Sequence, residues 1–179
     1  MAWATVASAA LDGNSATLKD VTFRQVIDAG GLSNTGRSKT RVTFQAGTSA
    51  EGLSIGVAYI GVAGAGDAYD FAATPTQILF SGVGNAVVPA SGTLVSDEIA
   101  FTVPTSGNLV ISFYVANDAA NDTARYKVTV ANWLYYFKAG NDAATVNTSG
   151  YTTSTNDALG VSLIESDEPS AGGIPIFFD

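Results

Sequence analysis

The stretch LVSDEIAFTVPTSGNLVISFYVA, residues 94–116, carries the decision on fold class. In its first half Val95, Ile99, Phe101 and Val103 share one face at period two, and in its second half Leu109, Ile111, Phe113 and Val115 do the same. Residues 104–107 (PTSG) separate the halves with turn formers, so the pattern predicts a β-hairpin with one buried face, leaving Ser112 and Tyr114 to point outward. A lone hairpin cannot bury such a face, which calls for a second layer of sheet from the rest of the chain.

Working outward, the same alternation recurs. VTFRQVI (21–27) is rich in β formers, and DAGGLSNTGRSK (28–39) is a loop dense in turn residues. TRVTFQA (40–46) puts Val42 and Phe44 on one face, and LSIGVAYIGV (53–62) predicts an inward set of Leu53, Ile55, Val57 and Tyr59. Short strands are expected at 76–80 and 86–88. ARYKVTVANWLYYFK (124–138) reads as the longest and most aromatic strand, 140–157 as a long surface loop, and 159–164 as a further strand. Residues 1–20 read as an N-terminal arm carrying Trp3, with a short first strand or, near Ala7–Leu11, a short helix conceivable, 21–165 as the sandwich, and 166–179 as a C-terminal tail. About nine or ten strands at this spacing predict a single all-β sandwich of jelly-roll type.

Composition narrows function more than it defines it. The chain of 179 residues has no Cys and no His, which removes disulfides, thiolate metal sites and the commonest general base. Lys and Arg number 8 against 16 Asp and Glu, a net charge of -8, and the basic residues are scattered, so no nucleic-acid partner is expected. Residues 1–15 show no basic start followed by an apolar core, and no apolar run approaches a membrane helix, so neither a secretory signal nor membrane insertion is expected.

Without histidine a serine nucleophile would need Lys or a carboxylate as its base, and none of the lysines stands in a Ser-x-x-Lys setting. Paired carboxylates such as Asp67 with Asp70, or Asp97 with Glu98, are the remaining catalytic option, but neighbouring strand residues point to opposite faces. No enzymatic activity is expected. Oxygen ligands suited to Ca²⁺ gather at Asn117, Asp118, Asn121 and Asp122 and again at Asp67 and Asp70; the competing reading is turn residues capping local backbone, and no cofactor is otherwise implied. Trp133, Tyr135 and Phe137 share one face and Leu134 and Tyr136 the other; one set, whichever it is, is core and the other is free for stacking on sugar rings or for a subunit contact, which makes Trp133, Tyr135 and Tyr136 the candidate contact residues. The apolar end Ile174, Ile176, Phe177 and Phe178 follows an acidic Gly/Pro spacer, which predicts docking on this subunit or a neighbouring one.

VTFRQVI, then TRVTFQAG, LSIGVAYIGVA, ILFSG and VVPASGTLVSDEIAFTVPTSGNLVISFYVAN, resembles in order and spacing the noncatalytic N-terminal β-sandwich of bacterial GDSL/SGNH-type hydrolases. In those enzymes a catalytic domain opening on Gly-Asp-Ser follows; here GGIPIFFD stands near where that block would begin, and there is no His, so the resemblance implies an accessory module standing alone. The expectation is a structural or adhesive module: a bacteriophage virion protein, as capsid decoration, head fibre or tail-associated subunit on the virion surface, partnered by copies of itself and other virion proteins. The alternatives are a carbohydrate-binding module at a cell surface or outside the cell, and a noncatalytic partner of a separate esterase.

Overall fold

The computed structural model describes residues 2–15, 18–116, 123–127, 129–153 and 157–168. In chain order its strands are β1 (Trp3–Ser8), β2 (Gly13–Asn14), β3 (Val21–Ile27), β4 (Thr40–Gln45), β5 (Leu53–Val62), β6 (Thr76–Ile78), β7 (Ala86–Val88), β8 (Thr93–Val95), β9 (Leu109–Val115), β10 (Arg125–Lys127), β11 (Trp133–Ala139), β12 (Thr152–Thr153), β13 (Ala158–Leu159) and β14 (Val161–Asp167). One sheet runs β12-β11-β3-β9-β5-β6, with β7 also paired to β5. A second runs β1-β14-β4-β8, and a small third runs β13-β10-β2. Every strand pair is antiparallel, and the first two sheets pack face to face as an all-β sandwich.

The space between the sheets is filled from both sides by aromatic rings. Phe44 of β4 meets Phe113 of β9 edge-on at 5.5 Å, and Phe113 stacks on Phe23 of β3 at 5.5 Å. Around them lie Val42, Ile55, Ile60, Leu109, Ile111, Val115 and Ile164, all buried. Alternation along β3, β4 and β9 delivers these side chains to one face. Gly160 lets the chain turn sharply from β13 into β14: its φ is +72, and a Cβ there would lie 2.8 Å from the Phe113 ring.

The stretch at 94–116 is not a hairpin. β8 belongs to the smaller sheet, where it pairs with β4, whereas β9 lies in the larger sheet between β3 and β5. Both edges of β9 are therefore taken, and no ladder position remains for residues 95–103. Their backbone bonds go elsewhere: Thr40 and Ile99 exchange N–H···O bonds of 3.0 and 2.8 Å, and the Asp97 N–H donates to Leu79 O. The inward alternation survives at Ile99 and Val103, both buried, but Val95 is exposed.

A central strand also needs cover on its second face, and Ser112 is accordingly buried rather than exposed. Tyr114 is half-buried, its hydroxyl donating to Asp20 Oδ1 at 2.8 Å.

Three further expectations change for local reasons. In β5 a bulge between Ile55 and Val57 sets two residues against one on β9, so the inward set passes from Leu53 and Ile55 to Ala58 and Ile60, and Tyr59 goes to the other face. The run 124–138 is broken between β10 and β11, with positive φ at Thr129 and Asn132, and the two pieces join different sheets. At the start of the chain the short first strand is present as β1, which pairs with β14, and the helix conceivable near Ala7–Leu11 is not: Val6, Ala9 and Leu11 enter the core from non-helical backbone. Its outer edge is closed by Ser33 and Asn34, which donate to Thr5 and Val6 carbonyls.

Candidate functional site: a tyrosine cluster over a buried arginine

Cross-strand register lays a row of side chains over the face of the larger sheet that points away from the core. Tyr136 of β11 pairs with Arg24 of β3, Arg24 with Ser112 of β9, and Ser112 with Tyr59 of β5. A parallel row, Leu134, Val26 and Val110, is apolar, and Phe71 lies on it where Gly61 leaves space; a Cβ at Gly61 would come within 2.5 Å of the ring. Two loops, 64–72 and 140–151, cover both rows. They are tied together by the Phe71 N–H donating to Val146 O at 2.9 Å. The segment expected to be a surface loop thus forms part of an outer layer, in which Ala143 is fully buried.

Arg24 fixes that layer to the sheet. Its side chain is completely buried, and Nη1 donates to Tyr69 O at 2.6 Å while Nη2 donates to Asp142 O at 3.1 Å and to Thr145 O. The guanidinium also lies over the rings of Phe71, at 4.7 Å, and Tyr151, at 5.1 Å. Among the described residues no carboxylate forms an ion pair with it. Backbone carbonyls of the two loops take that place, so the arginine holds the loops by the groups every residue carries.

Neighbouring bonds reinforce the clamp. Thr22 Oγ1 donates to Gly140 O at 2.6 Å and accepts from Asp142 N at 2.9 Å. Asp70, nearly buried, accepts from the Thr148 and Asp67 N–H groups, and Lys138 pairs with Asp142 while donating to Thr148 Oγ1 at 3.0 Å.

At the rim of this layer three tyrosines meet. Tyr69 lies 5.0 Å from Tyr136 and 4.9 Å from Tyr151, with interplanar angles of 57° and 35°. All three are half-buried, and exposed Asp67, Thr152 and Thr153 stand beside them. The Tyr69 hydroxyl donates to Asp67 Oδ2 at 2.7 Å, and that bond to a carboxylate is the main reason its phenol is pushed up to about 12. Tyr151 is also pushed up to about 12, chiefly by burial, with the nearby guanidinium pulling the other way. Both remain protonated donors at neutral pH. The cluster offers ring surface and hydroxyls together, a combination suited to stacking on a sugar or on a partner's side chain.

The residues singled out from the sequence divide sharply. Trp133 is core, 2% exposed, and Tyr135 packs on the same inner cluster, edge-on to Phe23 at 6.1 Å. Tyr136 alone of the three joins the outer cluster. Asp97 caps a turn, accepting from Ser81 N at 2.9 Å and Gly82 N at 2.7 Å, and Glu98 pairs with Lys39 at 2.6 Å. Asp118, Asn121 and Asp122, and the tail residues Ile174, Ile176, Phe177 and Phe178, lie outside the described residues. Sequence reading missed Arg24, Tyr69 and Tyr151. The available signal was Arg24 and Gln25 side by side in the middle of a β-rich run, where a surface strand would show one polar residue, not two. Gln25 turns out to be bonded at both ends on the core side, donating to Leu134 O and Asp157 O and accepting from Leu159 N.

No protein-family model matches the chain, and no curated protein matches it either.

Proposed function

We propose that the chain is a noncatalytic structural module, an outward-facing subunit of a bacteriophage virion such as a capsid decoration, head fibre or tail-associated protein, built on the accessory sandwich that its sequence resembles. One observation carries the noncatalytic half of this reading. The polar side chains with a claim to chemistry are occupied in holding backbone: Asp97 caps a turn, Asp70 and Arg24 tie loops, and Gln25 joins strands. A catalytic carboxylate or base has to be available to exchange a proton with a substrate, whereas these side chains are committed to backbone groups of the fold. The virion half rests on composition and on the analogy of fold, an all-β module without Cys or His. Mass spectrometry of purified particles from the source phage or lysogen, with immunogold labelling, tests it: the chain is expected as a multi-copy surface component. Its absence from particles, or ester turnover by the purified chain that a single Ser or Asp substitution abolishes, would overturn the reading.

The tyrosine cluster favours a second reading, a carbohydrate-binding module for cell-surface or extracellular glycans. Tyr69 and Tyr136 present ring surface at the rim, and Asp67 stands within hydrogen-bond reach of Tyr69. A glycan array comparing the native chain with Tyr136→Ala and Asp67→Ala tests it. Binding lost in both variants supports a glycan site; a blank array for the native chain excludes it.

A further inference from the structure

Arg24 and Ser112 are both fully buried, and each keeps one polar atom, Nε and Oγ, with no partner among the described residues. They are direct cross-strand partners, so the two side chains leave the sheet on the same face, beneath the two covering loops. A third atom in the same state is the Tyr151 hydroxyl, whose ring lies over the Arg24 guanidinium at 5.1 Å. The guanidinium is near enough to draw the phenol's pKa down against burial, yet no hydrogen bond of acceptable geometry joins them. Three unpaired polar atoms around one guanidinium are a cost that a folded chain rarely leaves standing.

We propose that Arg24 Nε, Ser112 Oγ and Tyr151 Oη form a buried binding site for one water molecule, lodged between the larger sheet and its covering loops. The donor inventory fits. Nε–H can only donate, whereas the two hydroxyls donate or accept, and one water with two donors and two acceptors can serve all three. A small anion would also accept three donors, but the surrounding charge argues against it. Asp70, nearly buried, and Asp142 belong to the same covering loops, and Asp142 raises the Tyr151 pKa through its field. In this layer Arg24 and Lys138 stand against Asp70 and Asp142, the last paired with Lys138, so a neutral occupant keeps that balance where an anion would upset it, and immobilising it costs less than leaving three groups unpaired. The water becomes a fourth attachment of the outer layer, beside the carbonyls of Tyr69, Asp142 and Thr145.

The test is a crystal structure of the full chain at about 1.2 Å, a resolution at which ordered waters are well defined, from crystals grown in sodium bromide with data collected at the bromine edge. The expected result is a single peak within about 3.2 Å of Arg24 Nε and Ser112 Oγ, without anomalous signal. An anomalous peak there would make the site an anion site, and Nε bonded directly to either hydroxyl with no peak would leave no site; either overturns the proposal. In solution, ¹⁷O relaxation dispersion should count one fewer long-lived internal water in Ser112→Val, whose methyl groups occupy the position. An unchanged count in a folded Ser112→Val would contradict it, and the crystal of the native chain decides independently of whether that variant folds.

Discussion

The two faces of β3 and β9 are buried by different means. Toward the second sheet, Phe23, Ile27, Ile111 and Phe113 meet Phe44 and its neighbours in one apolar cluster that runs through the whole sandwich. Away from it, Arg24, Ser112 and Thr22 lie beside a much smaller apolar cluster, Val26, Phe71 and Val110. Their cover is loop, not sheet, held by hydrogen bonds to backbone carbonyls. Removal of apolar area from water stabilises the first face without regard to geometry, at about 25 cal/mol per Å². The second depends on directional bonds, each with a net contribution of about 0.5–1.5 kcal/mol, or 1.5–3 when one partner is charged. The inner face is therefore expected to set global stability, and the outer layer to open as a unit by itself.

The largest expected effect comes from Phe113→Ala, which removes the ring shared by both sheets and should cost about 3–5 kcal/mol in denaturant melts. Phe71→Ala removes a ring of equal size from the outer layer, but its global cost is capped by the free energy needed to open that layer. Equal losses for the two would erase the distinction between the faces. Gly160→Ala comes next: strain at positive φ and the clash with Phe113 should together cost about 2–4 kcal/mol. No loss, or the gain of about 0.4–1 kcal/mol that an unstrained glycine replacement brings, would mean that the turn and the core are not coupled there.

The sequence showed the inner face far better than the outer one. Period-two alternation in TRVTFQ and LVISFYV marks the core positions of β4 and β9, because a buried strand face needs nothing but apolar side chains at every second place, whereas Gln25 interrupts the pattern on the core face of β3. Partner choice was not legible. Nothing in residues 94–116 reports that β9 already has β3 and β5 on its edges, since backbone hydrogen bonds carry no side-chain signature. The bulge in β5 was equally hidden, for one extra residue leaves the composition of LSIGVAYIGV unchanged. Of the outer site, Tyr136 was found through its aromatic run. Tyr69 and Tyr151 were not, because they reach Arg24 from loops more than 40 residues further along the chain, as the long-range bond from Arg24 to Tyr69 O illustrates.

A smaller effect separates the faces by pH. Tyr69 and Tyr151, each raised from 10.0 to about 12 in the folded chain, bind protons more tightly than in the unfolded one. Their contribution is fully present below about pH 10 and is lost as pH rises toward 12. Absorbance titration should show Tyr69 and Tyr151 ionising late. Tyr151→Phe should remove one of them and flatten the alkaline decline in melting temperature; an unchanged decline would show that the outer layer has no part in it.

Arg24 is the clamp of the separable layer, and amide hydrogen exchange of Arg24→Met against the native chain tests that role most directly. Methionine matches the length of the buried stem but donates no hydrogen bond. The Phe71 and Thr148 amides, which bond to Val146 O and Asp70 Oδ1 within the layer, should lose protection by about ten- to a hundredfold, on the scale of one or two charged hydrogen bonds. The Ile111 and Phe113 amides in β9 should exchange as in the native chain. Equal acceleration at all four positions, or none at Phe71 and Thr148, would contradict it.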